Sequence, residues 1–172
     1  SPFSPTSPPF FSPPPPPFFL VFFVGVIPGT IASNGNLSVG NSLTLAGDRL
    51  HLSGTLEAGR NINVRSPHSI QIRDTATEPF IATAGNHLRL RGDSIDIFAL
   101  NHPDSGLSAG GNLVMRSRSS VIGDAHYWSG GDFRIERLDG SALGWSSVVD
   151  PVIRSAGDVV FDDYTGASLH IL

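Results

Sequence analysis

The sequence predicts an all-β parallel β-helix solenoid of about six coils, each of roughly 19–27 residues. Three observations predict it. A phrase Gly-x-x-apolar-x-apolar recurs along the chain, and twice it comes as a pair set seven residues apart. The pairs are Gly40-Asn-Ser-Leu-Thr-Leu45 with Gly47-Asp-Arg-Leu-His-Leu52, and Gly85-Asn-His-Leu-Arg-Leu90 with Gly92-Asp-Ser-Ile-Asp-Ile97. The first glycine of each unit falls at 40, 59, 85, 110, 130 and 157, giving steps of 19, 26, 25, 20 and 27 residues. Finally, the phrases alternate. Leu43, Leu45, Leu50, Leu52, Ile62, Val64, Ile70, Ile72, Leu88, Leu90, Ile95, Ile97, Leu113, Met115, Phe133 and Ile135 point one way. Thr44, His51, Asn63, Gln71, Arg89, Asp96 and Arg134, all polar, point the other. Such alternation marks a strand with one buried face. An antiparallel β-sandwich also uses short strands, but it gives no reason for the seven-residue pairing to recur.

Taken in order, residues 1–27 form a separate Pro/Phe-rich segment, and 28–172 the repeat region. Ser1 to Pro17 is uncharged Ser, Pro and Phe, which cannot pack a core and reads as extended. The apolar run Phe18 to Ile27 is too short for a membrane span and lacks the basic flank of a signal peptide. It reads as a β strand or cap beneath the first coil. With an opening Ser and a single Met at 115, the chain reads as a fragment. Within 28–172 each phrase is a strand, and its glycine gives the corner backbone freedom. Single copies begin at Gly59, Gly110, Gly130 and Gly166, and a shortened copy runs from Gly157 to Phe161. Ser69-Ile-Gln-Ile72 and a degraded Ser119-Ser-Val-Ile122 are partner strands in the second and fourth units. Asp74 to Phe80, Leu100 to Gly106 and Asp139 to Pro151 are polar or rich in turn formers, and read as surface insertions. Six coils stacked about 4.8 Å apart make a rod about 29 Å long.

Composition limits the chemistry. All 11 basic residues are Arg, which removes Schiff-base and P-loop lysine chemistry. There are no Cys, so disulfides, zinc thiolates and thiol nucleophiles are excluded. The net charge of −4 argues against a nucleic-acid or anionic-membrane partner. The six histidines lack metal-ligand spacing. Arg91-Gly92-Asp93 spells an integrin-binding tripeptide but sits at a repeat corner. Gly130-Gly131-Asp132 is a single copy of a calcium motif that needs tandem copies. Asp162 and Asp163 with Asp158 read as a solvated turn more readily than as hard-oxygen ligands. No catalytic, cofactor-binding or metal residue is assigned, and no cofactor is implied.

Tyr127, Trp128 and Trp145 are the candidate surface contacts, because aromatic platforms grip sugars by stacking. The competing reading puts Tyr127 or Trp128 inside the coil or against a corner. Trp145 lies in the longest insertion.

Three further stretches carry a family resemblance. Asn101-His-Pro-Asp-Ser-Gly106, Asp124 through Glu136 and Tyr164 through Ile171 resemble the repeat body of filamentous-haemagglutinin-like large exoproteins. The resemblance covers roughly residues 28–172 and is most specific in the second half. It implies a right-handed β-helix exported by two-partner secretion through an outer-membrane transporter, and an extracellular or cell-surface location. The Asn-Pro-Asn-Leu and Asn-Pro-Asn-Gly motifs of the family's secretion domain do not occur. The chain therefore resembles an internal stretch of shaft, poorly soluble alone because its strand edges are uncapped.

Two functions remain open. One is a structural and adhesive shaft without chemistry, whose partners are the rest of a parent exoprotein, its transporter and a host or cell-surface glycan. The other is a polysaccharide-binding or polysaccharide-degrading β-helix protein, since fold alone does not decide function. For the latter, Asp48, Asp93, Asp132 and Asp158 fall at similar corners, although Asn41, Arg60, Asn86 and Gly111 hold the equivalent places elsewhere. A corner that requires a turn former explains that set, so no enzyme activity is expected.

Overall fold

The apolar-x-apolar phrases are strands, and the named strands pair only in parallel, each with the strands one rung before and after it. The computed structural model describes residues 19–23 and 30–172, and among them there is no helix. Ser1 to Pro17 lies outside the described residues, as do Phe18 and residues 24–27 of the apolar run.

Three columns of strands run through the molecule. The first holds β1 (Phe19–Phe23), β4 (Ser42–Ala46), β7 (Ile62–Arg65), the first half of β10 (Leu88–Phe98), the first half of β12 (Leu113–Asp124), β14 (Phe133–Glu136) and β17 (Val159–Val160). The second holds β2 (Thr30–Ser33), β5 (Arg49–Leu52), β8 (Ser69–Arg73), the second halves of β10 and β12, β15 (Trp145–Ser146) and β18 (Tyr164–Thr165). Because β10 and β12 run through both columns, these form one 12-stranded sheet. The third column is a 7-stranded sheet of β3 (Leu37–Val39), β6 (Thr55–Ala58), β9 (Ile81–Ala84), β11 (Gly106–Ala109), β13 (His126–Ser129), β16 (Val152–Ser155) and β19 (His170–Ile171). Long parallel strands in two sheets around one apolar core are consistent with a parallel β-helix or solenoid.

Register puts like on like. Leu43, Ile62, Leu88, Leu113 and Phe133 stack in one file, and Leu45, Val64, Leu90, Met115 and Ile135 in the next. Every inward position named from the sequence is buried. The third column adds Leu56, Ala82, Leu107 and Tyr127, then a file of small residues, Ala58, Ala84, Ala109 and Ser129. Asp74 to Phe80 and Leu100 to Ser105 are loops. The third insertion is not one loop: Trp145–Ser146 inside it pairs with Ile122 and with Tyr164–Thr165 as a second-column strand.

Two further readings change. The phrase glycines are required by close approach and not by unusual dihedrals, since positive φ occurs only at Gly54 and Gly140 among the described residues. A Cβ on Gly59, Gly85, Gly110 or Gly130 would overlap the carbonyl oxygen of the glycine one rung earlier. The sixth unit starts one residue earlier than the phrase suggests. Pairing of Phe133 with Val159 aligns Ala156 with Gly130, so Ala156 to Phe161 is a complete phrase with alanine first. The Gly166 copy falls in the third column, where Ile171 is exposed.

An alanine replacing a glycine with ordinary dihedrals normally stabilises by lowering unfolded-state entropy. Here the carbonyl contact reverses the sign. Gly85→Ala is expected to destabilise by about 1–3 kcal/mol in urea unfolding. An unchanged or raised urea midpoint would refute the close-approach explanation.

Candidate functional site

The three aromatic candidates separate by strand direction. Within β13 alternate side chains face opposite ways, so Tyr127 is 2 % exposed and Trp128 47 %. Trp145 is 4 % exposed. Tyr127 and Trp145 are therefore core residues and not surface contacts. Tyr127 packs on Phe133 at 5.2 Å between ring centroids, and Trp145 lies against Tyr164 at 5.0 Å and Phe161 at 5.8 Å. Gly123 makes the room, since a Cβ there would come within 2.7 Å of the Tyr127 hydroxyl and 3.2 Å of the Trp145 ring. Burial, and secondarily the charge of Asp124, pushes the Tyr127 phenol far up, so it stays neutral. Trp128 alone of the three reaches solvent, between Ser108 and Arg154 on neighbouring strands.

The corner before the first column carries a polar ladder. The amide of Asn61 donates to Ser42 Oγ, that of His87 to Asn61 Oδ1, and that of Asn112 to His87 Nδ1. Asp132 then donates to Asn112 Oδ1, and Asp158 to Asp132 Oδ1. Each side chain thus accepts from the backbone one rung later, which replaces a strand bond where the chain turns. His87 must present an unprotonated Nδ1 to do so. Burial first, and the nearby Arg89 charge second, hold its imidazole below the ordinary range.

Two buried carboxylates fasten the insertions. Asp74 accepts from Asn101 Nδ2 at 2.9 Å, the His102 amide at 2.8 Å and Ser105 Oγ at 2.7 Å. Burial alone would raise this carboxyl, but the bonds from Ser105, His102 and Asn101 outweigh it and hold it below the ordinary carboxylate range. Two rungs on, Asp124 accepts from Ser147 Oγ and from the amides of Val148 and Val149.

The remaining motifs are taken up by the scaffold. Arg91-Gly92-Asp93 lies inside β10 at a register shift, with Gly92 buried and Asp93 paired to Arg118 at 3.0 Å. Asp132 of the Gly-Gly-Asp stretch belongs to the ladder, and Asp162 and Asp163 are exposed. Asp48 and Asp93 precede the second column whereas Asp132 and Asp158 precede the first, so the four do not share one corner. Among the described residues no group of three or more His, Asp or Glu is placed to hold a metal ion.

One surface feature went unread in the sequence. The outer face of the first column carries an open trough of about 490 Å³, lined by Arg65, Arg89, Arg91, Arg116 and Arg134, with Glu136 as its one acid. Glu136 is buried and holds Arg116 at 2.7 Å and Arg134 at 2.8 Å. Arg65, Arg89 and Arg91 form no ion pair with any described residue. The signal was present as Arg-x-Arg in the outward positions 89 and 91, but it shows only once rungs are aligned.

No protein family, curated protein or solved structure matches this chain.

Because the folded protein disfavours protonated His87, that residue's stabilisation is complete above about pH 6.5, the ordinary imidazole value, and is lost as pH falls through the lower folded value. His87→Asn keeps an acceptor, as Asn61 and Asn112 do, without a titrating group. Urea midpoints from pH 7.5 to 5 are expected to fall less steeply in the variant than in the parent; parallel curves would exclude the ladder role.

Asp74 titrates in a separate, more acid window, because its depressed carboxyl stabilises the fold above its unfolded value and loses that effect only on acidification through the folded one. Asp74→Ala at pH 7 strands the donors of the Asn101 to Ser105 loop. An expected loss of about 2–4 kcal/mol follows from charge-assisted bonds of this kind, with amide exchange of His102 accelerated as the local readout.

Proposed function

We propose that the chain is a stretch of shaft from a secreted or surface-displayed adhesin of the filamentous-haemagglutinin type, with no chemistry of its own. The observation that carries this reading is the unbroken register of three strand columns over successive rungs. Stacking of this kind fills the interior with side chains and leaves length, stiffness and outer faces as what the protein offers. In this reading the two sheets close into a right-handed parallel β-helix. The parent exoprotein continues the rod, and a two-partner outer-membrane transporter exports it to the cell surface. Loops such as 137–144 then carry contacts outward, and Trp128 supplies a stacking surface for a cell-surface glycan.

The distribution of acids favours the shaft over a polysaccharide-degrading enzyme. A hydrolytic site needs carboxylates gathered on one face, and here they divide between two corners, with Asp132 engaged by the Asp158 amide. Immunogold labelling of intact cells with an antibody raised against the 137–144 loop tests the reading. Label on extracellular filaments is expected. Label confined to permeabilised cells would overturn it.

A further inference from the structure

The arginines of the trough fall in two equivalent sets, two rungs apart along the first column. Arg116 pairs in register with Glu136, and Val114 with Arg134. Two rungs earlier Arg65 pairs with Arg91, and Asn63 with Arg89. The offset is the same, so Arg65 and Arg89 repeat Arg116 and Arg134. The difference lies at the third position. Glu136 neutralises the later pair, its two carboxylate oxygens taking Arg116 and Arg134 separately. The earlier pair has Arg91 there, a third cation.

Files of like charge on adjacent strands are unfavourable. Arg65, Arg91 and Arg116 stand directly over one another, on strands about 4.8 Å apart, with internal compensation only at the last. The chain as a whole carries net charge −4, so this face departs from the charge of the molecule. No packing requirement explains it, because Arg65, Arg89 and Arg91 are all exposed. Guanidinium forks match carboxylates in a bidentate way, and Asn63 and Asn112 at the same trough offer amides suited to hydroxyl groups.

We propose that this trough binds a linear carboxylated polysaccharide, a uronate polymer, lying along the stacking axis with a carboxylate over Arg65, Arg89 and Arg91 where Glu136 sits over Arg116 and Arg134. The rung spacing is comparable to the length of one sugar residue, so successive acidic sugars meet successive rungs. The trough has no aromatic side chain on which a base could stack, which makes nucleic acid the poorer ligand. This inference rests on the register of the first column and not on the export reading, so either can fail alone.

Binding of polygalacturonate to the 172-residue chain by titration calorimetry tests it, beside neutral dextran, dextran sulfate and single-stranded DNA. Arg91→Glu recreates the Glu136 arrangement internally. It is expected to raise the melting temperature and to weaken polygalacturonate binding about tenfold or more, the loss of at least one charge-assisted contact. Arg154→Gln, on the exposed side of β16, leaves binding unchanged. Added salt weakens the parent's binding, and neutral dextran does not bind. Should Arg91→Glu fail to fold, the double variant Arg65→Gln with Arg91→Gln gives the same binding readout. The proposal is overturned if the folded parent does not bind polygalacturonate, or if binding survives these variants. Tighter binding of dextran sulfate or of single-stranded DNA than of polygalacturonate overturns it equally.

Discussion

In-register parallel stacking is the constraint on which the rest of this structure depends. Each rung satisfies its backbone groups on the rungs before and after it, so every side chain meets the residue at the same place one rung away. Apolar files follow inside, from Leu43 through Ile62, Leu88 and Leu113 to Phe133. At the corner the same rule demands glycine at 59, 85, 110 and 130, because each α-carbon there lies against a carbonyl oxygen of the preceding rung. It also demands an acceptor at 61, 87, 112 and 132, which Asn, His and Asp supply equally well. The chemistry varies along that ladder while the geometry does not.

Stacking accounts equally for where the rungs lengthen. The insertions at 74–80 and 100–105 leave the column at the end of the second strand and return at the start of the third, so their polar groups cannot use the ladder of bonds between rungs. Carboxylates do that work instead. Asp74 reaches the insertion of the following rung, and Asp124, two rungs later, does the same. Both are buried, yet each accepts several donors, which is the condition under which a buried charge is tolerated. The aromatic group around Trp145 has a related origin. Val121 and Gly123 present less bulk than the Ile95 and Ile97 beneath them, and Tyr127, Phe133 and Trp145 fill what they leave.

The first two columns were legible because Leu, Ile and Val at i and i+2 repeat behind a glycine. The third was not, since its inner file is Ala58, Ala84, Ala109 and Ser129, too small to register as an apolar alternation. Those residues are small where the chain approaches the glycine corner, so the geometry that makes one signal clear weakens the next. Trp145 read as exposed because a two-residue strand flanked by Gly144 and Ser147 has no periodicity to show. Tyr127 and Trp128 are adjacent, and only the phase of β13 decides which faces inward. The glycines were found for the wrong reason: their spacing follows from rung length, but their necessity is a contact between residues 19 to 26 apart, as for Gly40 and Gly59 or Gly59 and Gly85.

Lateral register also explains why the arginine face stays hidden in a linear reading. Arg65, Arg91 and Arg116 are separated by whole rungs, and each alone is an ordinary outward residue of a strand. Aligned, they oppose the rule that governs the rest of the molecule, since repetition that stabilises apolar and amide files destabilises a file of cations. Glu136 shows that the lattice accommodates a carboxylate at such a place and that it holds two guanidinium groups when present. Where local rules are broken without an internal remedy, function is the usual reason. A face whose charge is completed by something outside the chain is then a binding surface, and its repeat along the stacking axis selects a ligand that repeats as well.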